Sequence, residues 1–431
     1  MADSSLREPI LYHADQLDCG RNGRTHGAYF LPSDIPNTPE MLSTTSSQAP
    51  HAPSLALFCK VVDNYGDIGI CWRLSRQLQR EHGVAVTLWV DDLASFRRIC
   101  PEVAIDQETQ QVQGVTVRHW RDQDGAFGVA DIPDIVIEFF GCDIPPDYIK
   151  AMSQRTPRPV WLNFEGLTAE TWVEGCHTLP SPHPQLPLTK HFFFPGFNER
   201  TGGVLYEAGL EQQRQEFADD EAARHAFLAQ FGVTTTEAEA FKVSLFCYPQ
   251  APIADLFAAW RDGDRAVTCL VPEGVATDAV QVFLGQAPVA GANTTQGALT
   301  VRVLPFVPQP DYDKLLWACD LNFARGEDSF VRAQLAGKPF IWHIYPQDEN
   351  LHHVKLQAFL NIYKAATPAM QAMMLAWNGA FTEQADMATR WPAFAAELPQ
   401  LADLSMEWQQ QLLANGDLTS NLLKFAASMQ Q

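Results

Sequence analysis

Positive charge is scarce in this chain. Its 431 residues carry 30 Lys and Arg against 51 Asp and Glu, a net charge of −21. That counts against a nucleic-acid backbone as a direct ligand, because polyphosphate recognition needs a basic footprint. It permits a cationic partner, although an acidic surface is more often a solubility device. Paired cysteines are missing too. The nine cysteines (Cys19, Cys59, Cys71, Cys100, Cys142, Cys176, Cys247, Cys269 and Cys319) form no CxxC motif. Several sit inside apolar, strand-like runs and read as buried thiols of a reducing cytosol. No apolar run approaches the eighteen or so residues of a membrane span, so no membrane partner is expected. The opening MADSSLREPILYHADQ has neither a basic start nor an apolar core, so no signal peptide is expected and the location is read as cytoplasmic. The fingerprint GxGxxG is absent, which speaks against a nicotinamide or flavin enzyme. The histidines of Trp342-His343-Ile344-Tyr345-Pro346 and Asn350-Leu351-His352-His353 lack a metal-ligand spacing such as HExxH. Neither a metal nor any other cofactor is expected.

What is present is the composition of a globular protein, 46% hydrophobic and 11% aromatic. The length implies two domains of roughly 150 to 200 residues each. Residues 1–53, rich in Ser, Thr, Pro and Asn, read as a disordered extension. Strand and helix patterns then alternate in two series. The first has strands near 55–62, 84–90, 115–117, 135–140 and 160–164. A stretch rich in Pro and aromatics, 178–203, follows and reads as loop. The second series has strands near 243–248, 267–271, 299–306, 321–324 and 340–344, with helices between them. Such alternation predicts α/β architecture with parallel sheets covered on both faces. The expected division is an N-terminal Rossmann-like domain over 54–235, a C-terminal one over 236–400, and terminal helices over 401–431. A ligand cleft between the two is expected.

Two stretches carry chemistry. In the first, an apolar strand enters Asp63-Asn64-Tyr65-Gly66-Asp67-Ile68-Gly69 and a helix opens at once. Gly66 and Gly69 permit a tight turn. Asp67 stands where a carboxylate caps a helix and suits its dipole, so a capping role and a ligand role both stay open for it. Asp63, at the carboxyl end of the strand, faces the ligand side of such folds. In the second stretch a strand enters Arg325-Gly326-Glu327-Asp328-Ser329, and the helix behind it ends at Gly337. A helix start with Arg325 beside it and Ser329 as cap is an anion site able to hold a diphosphate. Glu327 and Asp328 could equally just complement their own helix dipole. Upstream, Phe246, Tyr248, Phe306 and Gln309 end strands. An aromatic face with an amide for a base edge suits a nucleobase, while Phe246 taken alone reads as core.

The motifs VVDNYGDIG, LPSPHP, FFFPGF, SLFCY, LPFVPQ, RGEDSF and WHIYPQ, in this order, resemble the protein-arginine rhamnosyltransferases that mature bacterial translation elongation factor P. The resemblance runs from about residue 55 through at least 355, and leaves the first fifty residues uncovered. It implies a GT-B glycosyltransferase with two Rossmann-like domains facing a cleft. Such an enzyme moves L-rhamnose from dTDP-β-L-rhamnose to one arginine of elongation factor P, with inversion. The modified factor is thereby activated to relieve ribosome stalling at polyproline. By the same resemblance Asp67 would be the catalytic aspartate, with Asp63 and Glu327 as further acids. Phe306 would stack on thymine and Gln309 would bond its edge. Tyr248, Tyr345 and Phe246 would line the nucleotide, and Asn64, Tyr65 and Gly66 would also bind dTDP-rhamnose. Arg325, Gly326, Asp328 and Ser329 would hold diphosphate and sugar. The acceptor is expected on loops of the N-terminal domain. Other readings from the residues are a GT-B enzyme with another nucleotide sugar or a small-molecule or lipid acceptor, and a non-catalytic sugar-nucleotide-binding module.

Overall fold

The computed structural model describes residues 52–62, 65–121, 127–380 and 386–430. Asp63, Asn64 and nearly all of the expected N-terminal extension lie outside the described residues.

Near-continuous apolar runs such as Leu55-Ala56-Leu57-Phe58-Cys59 form strands buried on both faces. The first sheet contains β1 (Ser54–Cys59), β2 (Ala85–Val90), β3 (Thr109–Val112), β4 (Val115–His119), β5 (Ile135–Phe139), β6 (Val160–Phe164), β7 (Pro180–Pro182) and β8 (Thr189–Phe193), in the order β3-β4-β2-β1-β5-β6-β8-β7. The second contains β9 (Phe241–Leu245), β10 (Val267–Pro272), β11 (Asn293–Gln296), β12 (Leu299–Leu304), β13 (Leu321–Arg325) and β14 (Phe340–His343), in the order β11-β12-β10-β9-β13-β14. The inner strands pair in parallel, and helices cover the faces, as in doubly wound α/β domains.

The sheets depart from the sequence reading at their margins. β3, β7 and β11 are antiparallel additions. Two of them, Thr-Gln-Gln-Val and Asn-Thr-Thr-Gln, are short and polar, so no apolar run announces them. The stretch 178–203 is not loop throughout, because β8 extends the sheet in parallel beside β6. Its aromatic density reflects burial: Phe193 stacks on Phe164, and Lys190 reaches across to the buried Glu138 while its ammonium lies 5.1 Å from the Trp161 ring.

Terminal helices close the fold in two directions. The helix Met387–Ala414, which accommodates Pro392 and Pro399, sends Trp408 and Leu412 into the core of the second sheet. The helix Leu418–Met429 returns to the first, burying Leu418, Leu422 and Ala426. Among the described residues, no helix is long and apolar enough to cross a membrane.

Candidate active site

At the first of the two acid-bearing turns, β1 ends at Cys59 and a helix spans Gly66–His82. Asp67 is its second residue, only 5% exposed. A carboxylate in a first turn suits the helix dipole. Asp67 Oδ2 accepts a hydrogen bond of 2.8 Å from the amide of Val62, so the acid is aimed back across the loop. Tyr65, at the N-cap position, makes no side-chain cap, and its ring meets that of Phe306 edge-on at 6.5 Å.

The second turn has the same strand–turn–helix form. β13 ends at Arg325, Gly326 adopts φ of +65°, and a helix runs Asp328–Leu335. That backbone conformation favours glycine, and it lets Gly326 donate to the carbonyl of His343 and accept from Trp342 Nε1 at 2.8 Å. Ser329 Oγ folds back onto Arg325, accepting from its amide at 3.1 Å and donating to its carbonyl. Ser329 thus braces the turn.

Glu327 faces the first half of the molecule. The amide of Leu167, in the loop after β6, donates to its carboxylate. A Cβ built on Gly166 would stand 3.6 Å from Glu327 Oε2, so that loop passes directly over the acid. Burial pushes the Glu327 carboxyl up to about 7, and the negative charges of Asp67 and Asp328 add to the rise, against the Leu167 amide and the ammonium of Lys355. Asp67 and Glu327, far apart in sequence, are therefore brought close enough to feel each other's charge.

The aromatic residues assemble on the second half. Arg325 lies 4.3 Å from the Phe246 ring and 5.0 Å from Tyr248, and its Nη1 donates to the Cys247 carbonyl at 3.0 Å. Tyr248 meets Tyr345 edge-on at 5.6 Å. The strand expected to reach Phe306 ends at Leu304, which leaves the Phe306 ring 52% exposed; Tyr345 is 47% exposed. Both offer open faces to a planar ligand. Gln309 sits otherwise than a waiting base-reader would. It opens the helix Gln309–Ala318, its Nε2 donates to the Gly69 carbonyl at 3.0 Å, and its Oε1 accepts from Arg76 at 2.9 Å. To pair with a base it must exchange those bonds.

Several residues escaped the sequence reading. Arg73 is buried and bonded to Glu207 and Asp328. Arg332 is paired with Glu207 and Asp313. Leu167 and Lys355 bear on Glu327. No local pattern marks them, because each gains its meaning from a partner on another element. Among the described residues no group of three His, Cys, Asp or Glu side chains gathers as a metal cage.

Comparison with known proteins gives this geometry its setting. Residues 55–427 match the family described as Elongation-Factor P (EF-P) rhamnosyltransferase EarP. A protein-arginine rhamnosyltransferase of Pseudomonas putida is 46% identical over 86% of this chain and 97% of its own. One from Pseudomonas aeruginosa is 43% identical over 86% and 98%. A solved structure on the basis of EarP-mediated arginine glycosylation of translation elongation factor EF-P shares 32% identity with a TM-score of 0.60, covering 87% of this chain and 99% of that one. The two Rossmann-like halves and terminal helices form a GT-B glycosyltransferase fold, and the chain belongs to the EarP family as a protein-arginine rhamnosyltransferase.

Proposed function

We propose that the enzyme takes L-rhamnose from dTDP-β-L-rhamnose and places it, with inversion, on one arginine of translation elongation factor P, in the cytoplasm and without contact with nucleic acid or membrane. The modified factor then relieves stalling at polyproline. The observation that carries the reading is the approach of two unlike carboxylates, Asp67 held by a loop amide and Glu327 raised to about 7, at turns from opposite halves. A guanidinium has a pKa above about 12 and no free lone pair while protonated. Paired acids in a desolvated cleft answer that difficulty.

In the proposed step a guanidinium nitrogen attacks the anomeric carbon while its proton passes to Asp67. The bond from that carbon to the diphosphate oxygen breaks, and dTDP leaves with the electron pair. Glu327, together with Asp63, holds the cation or aligns the sugar. The exposed rings of Phe306 and Tyr345, with Tyr248 and Phe246, are suited to the thymidine. Gln309 bonds the base edge after releasing Gly69 and Arg76. The amides at the start of the Asp328–Leu335 helix, Ser329 and Arg325 supply countercharge to the diphosphate. Asn64, Tyr65 and Gly66 take part in binding dTDP-rhamnose, and neither metal nor cofactor takes part. The acceptor docks on loops of the first half. Incubation of the purified chain with elongation factor P and either dTDP-rhamnose or UDP- and GDP-sugars tests donor and acceptor together. One deoxyhexose, mapped to an arginine and obtained only with dTDP-rhamnose, is expected. No transfer to the factor, or equal transfer from the other donors, would refute the reading.

A further inference from the structure

The helix that carries Asp67 and the turn that carries Glu327 are joined by one buried side chain. Arg73 stands on the Gly66–His82 helix, six residues beyond Asp67, with its side chain 2% exposed. Its Nε donates to Asp328 Oδ1 at 3.1 Å, the residue next to Glu327. Its Nη1 donates to Glu207 Oε1 at 2.8 Å and lies 3.6 Å from Asp313 Oδ2. Arg332, 1% exposed, completes the chain of charges, reaching Glu207 Oε2 at 2.8 Å and both oxygens of Asp313 at 2.7 Å. Burial opposes charging of Glu207, yet Arg332 and Arg73 hold its carboxyl well below the usual carboxylate range. Two cations thus serve three acids, Glu207 of the first half and Asp313 and Asp328 of the second.

We propose that Arg73 is a positioning residue for the transfer: by gripping Asp328 and Glu207 with separate nitrogens it fixes the start of the Asp328–Leu335 helix, and so Glu327, against the helix that carries Asp67. A guanidinium presents donors in a rigid fork and can satisfy two carboxylates on different elements at once, which an ammonium does with less directional control. An ordinary buried ion pair contributes only to stability, and the molecule holds such a control. Arg302 pairs with Glu237 at 2.8 Å inside the second half, with neither side chain more than 11% exposed and no link to the turns.

The inference rests on the donor, acceptor and acid roles proposed above. Its test compares Arg73→Lys, Arg73→Met and Arg302→Met by thermal unfolding, dTDP binding, and transfer at saturating donor across pH. Misplacing reacting groups by about 1 Å costs on the order of 100-fold in rate. Arg73→Met is therefore expected to lose about 100-fold in kcat and Arg73→Lys about 10-fold at saturating donor, with dTDP affinity weakened alongside, because the same helix start is the proposed diphosphate site. With the compensating cation gone, the acids around Glu327 repel more strongly, so the pH midpoint assigned to Glu327 moves upward in Arg73→Met. Arg302→Met is expected to lower the melting temperature alone. If Arg73→Met does not fold, the kcat of Arg73→Lys decides. Wild-type kcat and pH midpoint in the folded Arg73 variants would overturn the positioning role. Absence of transfer by the unsubstituted chain would instead count against the donor and acceptor.

Discussion

Two turns of this molecule share one construction and face different environments. Both follow a parallel strand, both open a helix, and both place an acid in or just before its first turn. At the first, Asp67 receives the Val62 amide and is buried. At the second, Glu327 receives an amide from the opposite half, yet burial and neighbouring acids dominate and lift its carboxyl to about 7. A local motif therefore sets where an acid stands, whereas the packing around it sets its proton affinity.

The largest effect should come from Asp67. If it accepts the proton of the attacking guanidinium, Asp67→Asn loses about 100- to 10,000-fold in kcat, read by intact mass, with its melting curve close to that of the unsubstituted chain. Glu327→Gln should follow. Acting as a carboxylate, Glu327 gives a transfer rate that falls as pH drops through about 7, and the Gln variant loses that limb along with most activity. The same substitution sharpens the contrast through stability. In the folded chain Glu327 keeps its proton above the ordinary carboxylate value of 4.5, so stability declines as pH rises from there through about 7. Glu327→Gln escapes that decline. It should melt above the unsubstituted chain near about pH 8 and match it near about pH 4, by scanning calorimetry.

Smaller effects test the nucleotide side. Base–aromatic stacking contributes about 1 to 3 kcal/mol, so Phe306→Ala should raise the donor KM by roughly 5- to 100-fold while leaving kcat at saturation within a few-fold. Gly326→Ala should be the mildest for the fold, costing on the order of 1 kcal/mol for a side chain at φ of +65°, measured by denaturant unfolding.

Much of this was legible in the sequence because it is local. Strands such as β1 and β10 show as largely apolar runs, and the two acid-bearing turns are contiguous segments bounded by glycine and a helical pattern. The family motifs span those same segments. What stayed hidden depends on contacts between distant elements. β8 was read as loop because its neighbouring prolines mask a strand whose partner, β6, is set by the sheet. The bonds of Gln309 to Gly69 and Arg76 join segments far apart in sequence, so no local pattern announces them. Arg73 is an unremarkable basic residue in a helix until Asp328 and Glu207 are placed around it.

The central claim is that two acids from opposite turns act on one arginine. It is tested most directly by transfer of rhamnose from dTDP-rhamnose to purified elongation factor P with the unsubstituted chain, Asp67→Asn and Glu327→Gln side by side, all shown to be folded. The account predicts one added deoxyhexose on an arginine with the first and almost none with either variant. Full modification of the factor by both variants would contradict it.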